Sequence, residues 1–142
     1  MMDVKVSRIL ITGSSGALGS ELKKKFPNAI TPNHNELDIT SRKNVIDFFK
    51  KKKIDVVIHA AAITSVRKCE EGRELAWKTN VDGTRNMIDA LMQTNPDGKF
   101  VYVSTACVFE GNIGMYKESS IPYPENFYAL TKLLGEQEVK QF

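Results

Sequence analysis

A chain of 142 residues, 42% hydrophobic and 26% charged, has the balance of one globular domain with a sizeable core, which excludes a disordered or fibrous protein. The net charge of +3 is small, and much of the excess sits in lysine runs at 23–25 and 50–53 that lack interleaved aromatics; they read as solvated helix ends, not a nucleic-acid surface. No apolar run nears the ~20 residues of a bilayer helix, the opening MMDVKVSRILITGSSG lacks a signal-peptide layout, and Cys69 and Cys107 form no metal-type cluster, so a reducing, cytoplasmic setting is expected.

Residues 8–12, RILIT, read as a short strand ending in glycines, and 17–26 as a helix that Pro27 and Asn28 break. A brief second strand at 29–31 leads into the polar loop PNHNELDIT, after which Thr40 or Ser41 can cap a helix carrying Val45, Ile46, Phe48 and Phe49. IDVVIHAAA, apolar on both faces, has the pattern of a central parallel strand. Residues 74–93 read as a helix with Val81, Thr84, Ile88 and Leu91 on one face, ended by NPDG. KFVYVST is a fourth strand, 110–126 a loop, and a final helix carries Tyr128 and Lys132. Strands and helices alternate with connections too long for hairpins, which defines an α/β fold around a parallel sheet, without an internal domain boundary.

The chemistry starts at TGSSGALG, where Thr12 is followed by Gly13, Gly16 and Gly19. Between a strand and a helix, such glycines allow a tight turn, close approach of a pyrophosphate to the helix N-terminus, and helix packing on the sheet. A glycine triplet alone fits an ordinary turn equally well; its place between the first strand and first helix is what favours a dinucleotide. Asp38 in LDIT can meet an adenine edge or serve as a helix N-terminal carboxylate, with nothing local to decide between them. About twenty residues past the first glycine, where a carboxylate would grip a ribose 2′-hydroxyl, stand Pro32, Asn33 and His34, which leans toward NADP or toward both cofactors, with Glu36 nearby as the contrary sign.

Ala60, Ala61 and Ala62 are small enough for a ribose or nicotinamide to lie against the backbone, or for tight core packing; His59 reads as a satisfied strand-end group more than as a catalyst. Tyr128 and Lys132, at i and i+4, share a helix face, and a nearby ammonium stabilises a phenolate. Thr105 ends the fourth strand, where open α/β sheets place ligands, and its hydroxyl can hold a substrate oxygen or bond to backbone.

The set TGSSGALG, LDIT, VIHAAAIT, Asn80, VSTACVFEG and YALTK resembles, in this order, the extended short-chain dehydrogenase/reductase family, and within it the dTDP-4-dehydrorhamnose reductase branch. The resemblance implies a Rossmann-like doubly wound parallel sheet in which the turn residues Gly13, Ser14, Ser15, Gly16, Ala17, Leu18 and Gly19 hold the pyrophosphate of NADP or NAD. It implies that Asp38 and Ile39 meet the adenine and that Ala60, Ala61 and Ala62 line the cofactor. Thr105, Tyr128 and Lys132 take the catalytic roles: Tyr128 as acid/base to a keto carbon of a nucleotide sugar, Lys132 on the nicotinamide ribose. Asn80 matches an asparagine supporting the active-site helix; read unaided, it is a helix N-cap. No metal is implied. Ala106 and Cys107 lack the carboxylate of the family's dehydratases, while Ala106 matches its epimerases, and the aspartate that the reductases carry after the threonine is missing.

The resemblance also implies further strands and a C-terminal substrate region beyond these residues, so the sheet is expected to be truncated, with the four strands ordered 3-2-1-4 and an uncovered edge. Self-association through that edge or the final helix is expected, with poor turnover by the 142 residues alone. A non-catalytic cofactor-binding or regulatory module and a nucleotide-sugar epimerase are the alternatives.

Overall fold

The computed structural model describes residues 7–142. Strands β1 (Ile9–Thr12), β2 (Val56–His59) and β3 (Lys99–Tyr102) form a parallel sheet in the order β1-β2-β3, with Leu10 opposite Val57 and Val57 opposite Phe100. The expected strand at 29–31 shrinks to one bridge between Leu10 and Ile30, because Pro32 has no N–H to extend a ladder and the chain turns away. Its backbone still joins the sheet, with Ile11 N–H donating to Ile30 O (2.9 Å) and Ile30 N–H to Ile9 O (2.8 Å).

The four expected strand segments therefore lie in the order 2-1-3-4, not 3-2-1-4. The chain leaves β1 through α1 (Ala17–Lys25) toward Ile30 on one side, then returns through α2 (Arg42–Lys52) to the other side of β1. Right-handed crossovers in opposite directions place these two helices on opposite faces, and the reversal opens a crevice at the carboxyl ends of β1 and β2.

On one face, Leu10 and Val57 pack with Val45 and Phe49 of α2 and with Met87, Ala90 and Leu91 of α5 (Gly83–Thr94). Alternation puts Ile9, Ile11, Val56, Ile58 and Val101 on the other face. There α1 lies along β1 and Ile11 is buried, but Val101 on the edge strand β3 is 49% exposed.

The expected helix at 74–93 is three pieces: α4 (Arg73–Trp77), a π-helical turn (Lys78–Asp82) and α5, preceded by the unforeseen short helix α3 (Val66–Glu71). A π turn inserts a residue into the helical ladder and often marks a functional position. Here it sets Asn80 facing inward, and Gly83 passes where a Cβ would meet Ile39 Cδ1 at 2.9 Å.

The last helix, α6 (Phe127–Lys140), is aimed by its caps. Asn126 Oδ1 accepts the Ala129 N–H (2.8 Å), and Glu70 accepts the Phe127 N–H (2.8 Å), a bond that, with Arg73 beside it, holds the Glu70 carboxyl below its usual range. Arg85 of α5 holds Glu138 near the far end through two contacts (2.6 and 3.1 Å). Gly135 lets α6 sit on β3: a Cβ there would lie 2.1 Å from the Tyr102 hydroxyl. Gly135→Ala is expected to lower unfolding stability by about 1–3 kcal/mol in urea titration, as overpacking does; an unchanged midpoint would refute this account of the contact.

Candidate active site

A cleft of about 830 Å³ opens at the carboxyl ends of the strands, walled by the turn from Thr12 to Leu18, by Ala60, Ala61 and Ala62, and by Ser104, Tyr128 and Lys132. Its far end reaches Lys23 and the loop holding Thr31, Pro32, Asn33 and His34. The volume lies within the range of small-molecule and cofactor sites.

The turn is built for close approach. Gly13 has φ +68°, and a Cβ on it would fall 2.8 Å from Ala60 C and O and from Ala61 N, so only glycine fits. Gly19 is buried beneath, where a Cβ would come 2.0 Å from Gly13 O. Whereas α2, α3 and α6 are capped by Ser41, Ser65 and Asn126, α1 has Gly16 as N-cap and no side-chain cap. The first amides of α1 thus lack an intrahelical acceptor and point into the cleft beside Gly13. Such a terminus accepts an anion, which is the fit expected for the diphosphate of a dinucleotide.

Opposite stands the face of α6 that carries Tyr128 and Lys132. Lys132 is buried; its Nζ donates to Val103 O (2.7 Å) and lies 4.2 Å from the centre of the Tyr102 ring. Burial pulls its pKa down to about 8, opposed by Glu136 one turn along. Burial moves the Tyr102 phenol the other way, well above its ordinary value, so it stays protonated.

A chain of buried hydrogen bonds joins the glycine turn to this helix. The Thr84 hydroxyl donates to Asn80 O (2.7 Å), so toward His59 it accepts, which assigns the proton to His59 Nε2 (3.2 Å). His59 Nδ1 then accepts the Thr12 hydroxyl (2.7 Å), whose oxygen accepts the Ala61 N–H (3.2 Å). Asn80 Nδ2 donates to Thr131 Oγ1 (3.0 Å) and Ile63 O (3.0 Å), its Oδ1 accepts the Ile63 N–H (2.9 Å), and Thr131 donates to Tyr128 O (2.8 Å). Asn80 is therefore a cross-link between the strand-end loop and α6; it lies within the helical stretch and is not the N-cap that its unaided reading offered.

Of the residues singled out from sequence, the cleft brings together Gly13, Ser14, Ser15, Gly16, Ala17, Leu18, Ile39, Ala60, Ala61, Ala62, Tyr128 and Lys132. Gly19, Asp38, Asn80 and Thr105 stand outside its lining. The Asp38 carboxylate accepts the Thr40 hydroxyl (2.7 Å) and N–H (3.0 Å), which holds its pKa below the usual value, while Asn86 Nδ2 fixes Ile39 O (2.9 Å). Thr105 Oγ1 accepts the Cys107 N–H (3.2 Å) at the start of a 3-10 turn (Ala106–Val108). Sequence reasoning missed Lys23, Thr79 and Ser104, which the fold carries to the cleft wall from separate elements. Among the described residues, no group of three or more His, Cys, Asp or Glu side chains could hold a metal, and no helix is long and apolar enough to cross a membrane.

An uncapped glycine turn and a Tyr/Lys helix face, across a crevice at the strand ends of a parallel sheet, define a Rossmann-like α/β domain. Residues 7–142 match the RmlD substrate binding domain family, and the chain belongs to that family. It is 35% identical over 138 residues to the dTDP-4-dehydrorhamnose reductase of Aggregatibacter actinomycetemcomitans, covering 93% of this chain and 46% of that protein. It is 33% identical over 145 residues to the methionine adenosyltransferase 2 subunit beta of Xenopus laevis, covering 94% and 43%. The crystal structure of the dTDP-4-dehydrorhamnose reductase (rfbD) from Bacillus anthracis str. Ames, in complex with NADP, is similar with a TM-score of 0.88 and 34% identity, over 95% of this chain and 49% of that one. The chain thus spans about half the length of these relatives.

The buried imidazole gives the site a pH signature. Desolvation first, then the Lys132 charge, depresses the His59 pKa from 6.5 to about 3. Between these values the unfolded chain binds a proton that the folded chain refuses, so stability is complete above about 6.5 and falls as pH drops, by up to ~1.4 kcal/mol per pH unit. Urea unfolding at pH 7 and pH 4.5 should show this loss, and His59→Asn should flatten it; equal slopes in both proteins would contradict the assignment.

Proposed function

We propose that this chain is the nicotinamide-nucleotide-binding half of a reductase that acts on a 4-keto nucleotide sugar, in the manner of the extended short-chain dehydrogenases/reductases. The observation that carries the reading is the pairing of an uncapped, glycine-formed helix terminus with Tyr128 and Lys132 across one cleft. The reductase relatives, one of them solved in complex with NADP, support it.

A bound NAD(P)H would supply the hydride. The amides of the first turn of α1 hold the diphosphate, and the small side chains of Ala60, Ala61 and Ala62 leave room for the ribose and nicotinamide. Lys132, fixed by Val103 O, retains two N–H donors for the nicotinamide ribose and the substrate side. Tyr128 donates its proton to the carbonyl oxygen as that oxygen gains charge. Thr105 is placed one residue beyond the cleft lining, and we assign it the substrate oxygen once substrate is bound. Asp38 serves the adenine through the oxygen that Thr40 leaves open. The reading leans to NADP: Lys23 and His34 line the adenosine end, and the Glu36 carboxylate is turned onto the Asn33 N–H (2.9 Å), away from a 2′-phosphate.

The relationship to methionine adenosyltransferase 2 subunit beta supports a second reading, a cofactor-binding module that acts through a protein partner. The exposed edge of β3 and the exposed Val101 support self-association, and a second copy is the partner we propose for that edge. Sedimentation should show dimers that grow with concentration; a monomer throughout would rule this out.

Fluorescence titration with NADPH and NADH tests the main reading. Saturable binding is expected, tighter for NADPH; Gly13→Val should abolish it, and Lys23→Glu should weaken NADPH more than NADH. Failure of both nucleotides to bind the folded chain would overturn the reading. In a complete reductase assembled on these residues, Tyr128→Phe should cut turnover by ~10²–10⁴ without changing the cofactor Kd; retained turnover would favour the module.

A further inference from the structure

Lys132 and Glu136 sit one turn apart on α6, and two consecutive residues past β3 hold both of them. The Val103 carbonyl accepts from the Lys132 ammonium (2.7 Å), and the Ser104 hydroxyl donates to Glu136 Oε1. Ser104 itself lines the cleft beside Tyr128 and Lys132. Nothing in the sequence motifs assigns either Ser104 or Glu136.

An exposed glutamate on a helix needs no such partner. Glu136, however, is half-buried, and its neighbour in sequence, Glu138, shows the contrast: Arg85 neutralises that carboxylate directly at 2.6 Å. Among the described residues Glu136 has no contact ion pair, so its charge is left to act on the buried ammonium one turn away. The groups that face Lys132 are few. From β3 comes the Tyr102 ring, a protonated phenol; from β2, the neutral His59; from α6 itself, Tyr128 and Glu136. Glu136 is the carboxylate among them, and it opposes the desolvation that drives Lys132 toward the neutral amine.

We propose that Glu136, held in place by Ser104, is a positioning residue for the reductase site: it keeps Lys132 charged and directed at the cofactor. The inference rests on the reading of the cleft as a nicotinamide-nucleotide site. Its mechanism is electrostatic and needs no contact between Glu136 and the ligand. The second strand-end hydroxyl, Thr105, accepts the Cys107 N–H and keeps its own hydrogen for a substrate oxygen, so the two adjacent hydroxyls do different work.

Two measurements keep the inference separate from the reading beneath it. Side-chain NMR of the ¹⁵N-lysine-labelled chain without nucleotide, with the Lys132 signal assigned by its loss in Lys132→Arg, follows the titration from about pH 6 to about pH 10. In Glu136→Gln the Lys132 midpoint should move to lower pH, in Ser104→Ala it should move the same way by less, and Glu136→Asp should return it toward the parent value. NADPH titrations across the same range should show the alkaline loss of affinity moving with that midpoint, several-fold weaker for Glu136→Gln above it and unchanged below it. A Lys132 midpoint identical in the parent and in the Gln and Ala variants overturns the proposal. Absence of NADPH binding to the parent chain would sink the functional reading, while the lysine titration would still decide what Glu136 does.

Discussion

The buried run of hydrogen bonds from Thr12 through His59, Thr84 and Asn80 to Thr131 is the constraint on which the rest of the structure depends. It crosses from the first strand to the second, then to α5 and α6, and it ends on the backbone of Tyr128. Each hydrogen in it has one acceptor, so the chain has a single direction and a single tautomer. Among described residues no buried side-chain polar atom is left without a partner, which is the condition for such a network to rigidify a core and not weaken it. Because its two ends are the glycine turn and the Tyr/Lys helix, polar contacts fix the walls of the cleft relative to one another, beside a small apolar cluster of Cys69, Ala76 and Tyr128.

The cleft itself follows from the direction of the chain. Leaving β1 on one side and returning on the other gives a crevice at the strand ends, and the helix that opens there carries a glycine where α2 and α6 carry a capping side chain. Hydrogen-bond donors then face the cleft from both walls. Unpaired amides lie on the α1 side, and on the α6 side lies a lysine whose charge is opposed by burial and supported by a carboxylate. A diphosphate joined to a nicotinamide ribose, the ligand proposed above, offers acceptors to both walls.

Much of this was legible in the sequence where the signal is local. The glycine spacing sits in eight residues, and Tyr128 and Lys132 share a face by helical period alone, so both were found and both lie on the cleft. The α/β alternation likewise follows from runs such as VVIH and the amphipathic α5. What escaped is nonlocal. Ser104 and Glu136 are 32 residues apart and meet only because Gly135 lets α6 rest on Tyr102. The strand order failed because the side of β1 to which the chain returns after Ile30 is set by how α2 packs on Leu10 and Val57, a contact no local pattern carries. The π turn is invisible to a 3.6-residue period, and with it the inward turn of Asn80.

Amide hydrogen exchange on the parent chain and on Asn80→Leu tests most directly whether this network sets α6. The account predicts that the variant loses protection at Ala129, Leu130, Thr131 and Lys132 while the core of β1 and α2 keeps it. Unchanged exchange along α6, with Asn80 gone, would show that caps and apolar packing hold Tyr128 in place without the network, and would contradict the account.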